Sequence, residues 1–291
     1  MRIKFVDLEQ GSQDWKDFRK GKLGSSSAAS IMGVGFKTPL QLFEDMMDDR
    51  ETPVNEAMIR GTTMEPIARR YLNTKYESDL QPVVVTHPID FYDWHISSLD
   101  GLWQRPDGSV FVAEIKCPGR VDHQKALDGH VPEKYMPQLY HILEDLPDVH
   151  RILYFSYHPD SQAEVWVYRD KVKMDAQFQA ELAFYNRILD CNPPEPMDKD
   201  WVDFRDSYLV DKANRLMYLN NEVLNMQAEV ATIRSELIEG IQGCVRSRIG
   251  DLKVQKVTRK GTPQYSKIPE LKGVNLDQYR GDPIISWRLS L

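Results

Sequence analysis

Residues 97–116 read SSLDGLWQRPDGSVFVAEIK, and the fold turns on how this stretch is read. The segments 92–98 and 109–115 are rich in β-branched and aromatic residues, and Asp107-Gly108 between them is a hairpin signal. Asp100 ends the first strand, while Glu114 and Lys116 stand two apart on the second. Residues i and i+2 of a strand face the same side. Glu114 and Lys116 therefore project together, with Ile115 turned to the core, and pairing of the two strands can bring Asp100 beside Glu114.

Strand character recurs at 81–86, 151–157 and 163–168, and helical patterns fill about 132–146 and about 171–190. Residues 12–50 read as short helices, with Ser12 capping one and Thr38-Pro39 opening another. The stretch 55–75 is helical, and Pro66 inside it predicts a kink or a restart. The fold class is α/β (α+β), a small mixed sheet flanked by helices. From 206 the pattern changes. Leu209, Leu216, Val223, Val230 and Leu237 recur every seven residues, with Leu219, Met226 and Ile233 offset by three. This predicts a long helix, either pairing in a coiled coil or hairpin or lying on its own core. A basic, strand-like segment at 245–260 and a Tyr/Pro/Gly-rich tail follow.

The chain has 291 residues, and 37 Lys+Arg against 44 Asp+Glu give a net charge of −7. With 41% hydrophobic residues it can bury a real core. No run approaches the roughly 20 apolar residues that span a bilayer, and the start lacks an apolar signal core. The expectation is a cytoplasmic protein with no membrane contact. Three scattered cysteines (Cys117, Cys191, Cys244) without a CxxC argue against a disulfide framework or a four-cysteine metal site. Net acidity does not exclude nucleic acid, because association follows the local field.

Two carboxylates and an ammonium at a sheet end suit phosphodiester hydrolysis. Hard oxygen ligands hold Mg²⁺, the metal polarises the phosphoryl group, and a lysine can orient or deprotonate water or offset developing charge. Alone, Asp-x13-Glu-x-Lys is a loose pattern. A salt bridge on a solvated hairpin is an equally ordinary origin for it. Glu65 with Arg69 reads first as an i,i+4 helix pair, and His87, His95, His123 and His141 as structural or exposed. Cys117 reads as a buried filler, since no base partner is indicated.

Five blocks in order sharpen the reading. They are Trp15, Arg19, Gly21, Ser25, Ser26 and Ala28; RGTTMEPIAR at 60–69; SSLDGLW at 97–103; EIKCP at 114–118; and YMPQLYH at 135–141. Over about residues 10–190 the chain resembles the lambda-exonuclease-like, YqaJ-type viral recombinase family of PD-(D/E)xK nucleases. The resemblance implies that Asp100 and Glu114 are metal ligands, with the Ile115 backbone carbonyl completing one site and Glu65 assisting a second. It implies that Lys116 positions or activates the attacking water, supported by Gln138, and that Arg19 and Ser26 hold a 5′ phosphate. Asp90 falls roughly at another acidic position of the family, in competition with Asp93.

As cofactors the family implies Mg²⁺, with Mn²⁺ able to substitute, two ions per site and no iron–sulfur cluster. The implied activity is 5′→3′ exonuclease digestion of duplex DNA from its ends, leaving a 3′ single strand. The implied partners are double-stranded DNA ends, further copies in a homo-oligomer (trimeric in the family) and a single-strand annealing protein, in a bacterial host or its phage. The expected division is a 1–195 nuclease core and a 196–291 extension. Rival readings are a structure-specific or restriction-like endonuclease and a non-catalytic DNA-binding assembly protein.

Overall fold

The structure is a computed structural model and describes residues 3–50, 55–201, 203 and 205–256. The chain resolves into two compact units, Met1–Val202 and Asp203–Leu291.

In the first unit, seven strands form one sheet in the order β1-β3-β4-β5-β6-β7, with β2 added alongside β4. The strands are β1 (Lys4–Val6), β2 (Leu23–Gly24), β3 (Gln81–Thr86), β4 (His95–Gln104), β5 (Val110–Lys116), β6 (Arg151–His158) and β7 (Ser161–Tyr168). Pairing is antiparallel except between β2 and β4 and between β5 and β6. The expected hairpin joins β4 to β5. Gly108 takes φ 82° in its turn, where a side chain would be strained, and the Asp107 carboxylate accepts from the Ser109 N–H at 2.8 Å.

A parallel β5–β6 pair requires a crossover. Here it contains α5 (Arg120–Leu127) and α6 (Met136–Asp145). The crossover lays α6 against the sheet, so the sequence after Lys116 returns its own helix to the strand end. Strand alternation separates two apolar layers. Val112, Ile152 and Tyr154 pack with Leu139, Ile142 and Leu143 of α6. Phe111, Ala113, Ile115, Leu153 and Phe155 pack with Ala68 and Leu72 of α4 (Glu56–Tyr76).

The predicted caps are present. Ser12 Oγ accepts from the Trp15 N–H at 3.1 Å at the start of α1 (Gln13–Arg19). Thr38 forms a full capping box on α3 (Pro39–Met47). Pro66 does not restart α4, and the helix runs unbroken over 21 residues with the proline inside it. An interior proline costs about 3 kcal/mol. The fully buried Ala68 and Leu72 beyond it, and the bond from Arg60 Nε to the Cys117 carbonyl before it (3.1 Å), hold both halves against the sheet.

Helix α7 (Lys171–Leu189) is joined to β4 and α6 by a buried polar network. His95 meets Asp145 through Nδ1 at 2.6 Å and Glu181 through Nε2 at 2.8 Å. His141 meets Glu181 at 3.1 Å and the Ile96 carbonyl at 3.0 Å, and its ring stacks on that of His95 with centroids 3.5 Å apart. Ser97 donates to Asp145 and Gln177 to Glu181. Burial opposes a charged His95, but the two carboxylates outweigh it and raise its pKa to about 10. Glu181 is correspondingly held below the carboxylate range, its own burial overcome by His141 and His95.

The second unit holds α8 (Ser207–Gly240), capped by Asp206, and a hairpin of β8 (Arg246–Ile249) and β9 (Leu252–Gln255). No α8 side chain is buried. The Tyr/Pro/Gly-rich tail lies outside the described residues. Among the described residues no helix is long and apolar enough to cross a membrane.

Candidate active site

The site lies where β4 and β5 part. Their register runs from Gln104↔Val110 to Gly101↔Ala113 and stops there. On the other edge of β4 the register with β3 shifts between Val83↔Leu99 and Gln81↔Leu102. Three steps along β4 thus span two along β3, which marks a β-bulge at Asp100-Gly101. Bulges bend a strand and re-aim a side chain. Gly101 fits because a Cβ there would lie 3.2 Å from that of Leu80. Beyond the last pair the Ile115 N–H no longer meets β4 backbone, and it donates to Asp100 Oδ2 at 2.8 Å.

Glu114 is 1% exposed. Its Oε1 accepts from Lys116 Nζ and from Gln138 Nε2, both at 2.6 Å, while its Oε2 is buried and has no partner among the described residues. Glu65, one turn before the buried face of α4, pairs with Arg69. Burial and the nearby Asp100 raise the pKa of Glu65. Burial, then Asp100, raise that of Glu114 despite its bond to Lys116. Lys116 moves the other way to its burial, because Glu114 and Asp100 together keep it an ammonium. One contact serves the two partners unequally: the lysine gains from two carboxylates, whereas Glu114 has Asp100 and Glu65 against it.

The structure therefore brings Asp100, Glu114, Lys116, Gln138 and Glu65 into one cluster. An orphaned carboxylate oxygen costs roughly 1–3 kcal/mol when left buried. It sits among acidic oxygens in excess of nearby cations, a donor set that fits a hard divalent cation. A second group could also hold a metal, since His95, His141 and Asp145 place one ligand atom each within 4.8 Å of one another. All of those atoms already make the bonds of the buried network, so the open donor belongs to Glu114.

Arg19 and Ser26 lie on the flank of the same strand. The Trp15 indole N–H donates to Ser98 Oγ at 3.0 Å, two residues before Asp100, and the Arg19 guanidinium covers the Trp15 ring at 4.3 Å. The guanidinium also lies over Gly24, where a Cβ would fall 2.8 Å from Nη2. Burial lowers its pKa, and among the described residues no carboxylate pairs with it. Asp17 instead takes Gln13 and Lys20. Ser26 is exposed on the 3-10 turn Ser25–Ser27 that follows.

Asp90 and Asp93 are elsewhere. They bond Lys4 and Lys22 before the start of β4, on the order of 17 Å along the strand from Asp100, and add nothing to the cluster. Burial, followed by Glu65 and Asp100, raises the Cys117 thiol to about 11, so it stays protonated. Sequence reasoning missed Trp15 and Ser98 as a support for Arg19. It also missed Tyr135, whose ring lies 5.7 Å from Lys116 Nζ. The sequence offered no signal for these beyond their place inside the matched blocks.

Residues 14–144 match the model of the YqaJ-like viral recombinase domain, the same family that the five sequence blocks resemble. The chain is 25% identical over 255 residues to the uncharacterized protein YqaJ of Bacillus subtilis (strain 168), covering 79% of this chain and 78% of that one. It superposes on an alkaline exonuclease, LHK-Exo from Laribacter hongkongensis, with a TM-score of 0.53 at 22% identity, over 70% of this chain and all of the other. The same exonuclease in complex with dAMP gives 0.54 at 20% identity with the same coverage. The fold is thus shared with this exonuclease, a mostly antiparallel central sheet flanked by helices.

Proposed function

We propose that this chain is a Mg²⁺-dependent exonuclease of phage-type recombination that digests one strand of duplex DNA 5′→3′ from its end and leaves a 3′ overhang. The observation that carries the reading is the buried Glu114 Oε2, without a hydrogen-bond partner among the described residues, beside Asp100 and Glu65, with Lys116 held as an ammonium. Asp100, Glu114 and the Ile115 carbonyl would hold one divalent ion and Glu65 a second, Mg²⁺ or Mn²⁺. Such ions supply Lewis-acid polarisation and a water of lowered pKa. Lys116, fixed by Glu114, directs its N–H groups at the phosphate and the incoming water. Gln138 holds Glu114 in place from α6. Arg19, a half-buried cation that pairs with no carboxylate among the described residues, takes the 5′ phosphate with the Ser26 hydroxyl, the pairing a guanidinium fork favours.

The names of the structural neighbours agree with this activity. We assign it to residues 1–195 and treat 196–291 as an extension; the division into compact units at Val202 and Asp203 supports that partition. With a net charge of −7, DNA must be met by a local basic surface, which a ring of three copies would turn inward in a bacterial cytoplasm beside an annealing protein. Of the basic residues near α1, Lys20 is tied to Asp17 and Asp49 and Lys22 to Asp93, which leaves Arg19 the stronger anion site.

The test is a linear duplex labelled at each end in turn, compared with a covalently closed circle, with and without Mg²⁺. Loss of 5′-terminal label only from the linear DNA and only with Mg²⁺ is expected. Cutting of the circle would assign an endonuclease, and no digestion at all would leave only DNA binding or assembly.

A further inference from the structure

Phe36 is 83% exposed, on the short segment between α2 (Ala28–Ile31) and α3. A single apolar side chain in water is ordinary; this one is held and placed. Gly33 takes φ 73°, and its N–H donates to the Ser30 carbonyl at 3.1 Å. A Cβ on Gly35 would lie 2.7 Å from the Ser30 nitrogen, so the backbone presses onto the helix end. On the other side the Thr38 capping box fixes the chain where α3 begins. The phenyl ring is therefore presented outward from a segment pinned at both ends.

Its neighbours lead to the catalytic cluster. Lys134 Nζ lies 4.6 Å from the Phe36 centroid and 5.2 Å from that of Tyr135. The Tyr135 ring in turn lies 5.7 Å from Lys116 Nζ. Lys134 is anchored by Asp122 at 2.6 Å. Cations and aromatic rings thus alternate from Lys116 outward to Phe36, forming a ledge whose outermost ring is open to solvent. Aromatic faces interleaved with lysines are how proteins hold unpaired bases without reading sequence, the rings stacking on bases and the cations tracking phosphates.

We propose that Phe36 stacks on an unpaired DNA base beside the scissile position, with Lys134 and Tyr135 completing the platform. The inference rests on the nuclease reading and adds a subsite to it. The platform gives the enzyme a hold on a frayed or displaced nucleotide, so that opening the terminal base pair is offset by stacking on protein.

The experiment uses the full chain and duplexes carrying 2-aminopurine at successive positions from the end, with Ca²⁺ in place of Mg²⁺ to hold the DNA uncut. Stacking on Phe36 is expected to change the fluorescence at one position. Phe36→Ala and Phe36→Leu should abolish that change and raise the KM for digestion in Mg²⁺ by about 5- to 150-fold, the size of one base–aromatic stack. Phe36→Trp should restore both, and the melting temperature should not move. If the parent digests DNA while Phe36→Ala keeps the same signal and the same KM, this inference fails alone. If the parent neither binds nor digests DNA, it falls together with the reading beneath it.

Discussion

Replacing Glu114 by Gln keeps the shape of the side chain and removes its charge. Oε1 can still accept from Lys116 and Gln138, while the orphaned Oε2 becomes an N–H₂ facing the field of Asp100. In the parent, burial and then Asp100 raise the pKa of Glu114, so keeping it ionised costs folding energy near neutral pH. Glu114→Gln in metal-free buffer should therefore unfold no earlier than the parent, and by up to about 2 kcal/mol later. Metal reverses the order. At about ten times its Kd, a bound cation stabilises the folded parent by roughly 1.4 kcal/mol. For a unit of this size that is about 3–6 °C in Tm. The variant, short of an anionic ligand, should lose most of that shift and at least about 100-fold in digestion rate. Thermal unfolding over a Mg²⁺ titration, run beside an exonuclease assay, reads all three. A variant that is less stable without metal yet keeps the full Mg²⁺ shift would refute the assignment of Oε2 as the open metal donor.

Lys116→Met should keep a Mg²⁺-dependent Tm rise while digestion falls about 100- to 1,000-fold; a rate near the parent's would remove the lysine from the chemistry. Arg19→Ala should erase any preference for 5′-phosphorylated over 5′-hydroxyl duplex ends, measured as a ratio of initial rates. Equal rates in the parent would remove that role. His95→Ala leaves Asp145 and Glu181 buried without their shared cation and should cost about 3–5 kcal/mol in chemical denaturation. The pH dependence of that loss has a definite sign. The pKa of His95 is raised in the fold, so its contribution is complete below about 6.5 and is lost as pH rises through about 10. Above that pH the gap between parent and variant should narrow to the cost of the missing buried ring, and a gap that does not change with pH would contradict the buried imidazolium.

The legible parts of this molecule are those where neighbours in sequence are neighbours in space. The Asp107-Gly108 turn and the two-residue period of β5 placed Glu114 and Lys116 beside Asp100 without further information. Ser12 and Thr38-Pro39 marked helix starts because capping is a local bond. What could not be read depends on distant pairing. β1 has three residues and β2 two, too short for any periodicity, and each exists only through its partner on β3 or β4. The bulge at Asp100-Gly101 is a mismatch between strands, visible only in register. His95, Asp145 and Glu181 carry no motif, because their bonds join residues 50 and 86 positions apart. Pro66 does not restart the helix for a related reason: the local penalty is real, and packing of Ala68 and Leu72 outweighs it. Phe36 carries no pattern in the sequence, and its exposure and its link to Lys134 appear only in the structure.

The most direct test of the metal centre is a crystal soaked in Mn²⁺ and read by anomalous scattering. A peak within about 2.2 Å of Glu114 Oε2 and an Asp100 oxygen is predicted. A peak among His95, His141 and Asp145, with none between Asp100 and Glu114, would contradict it.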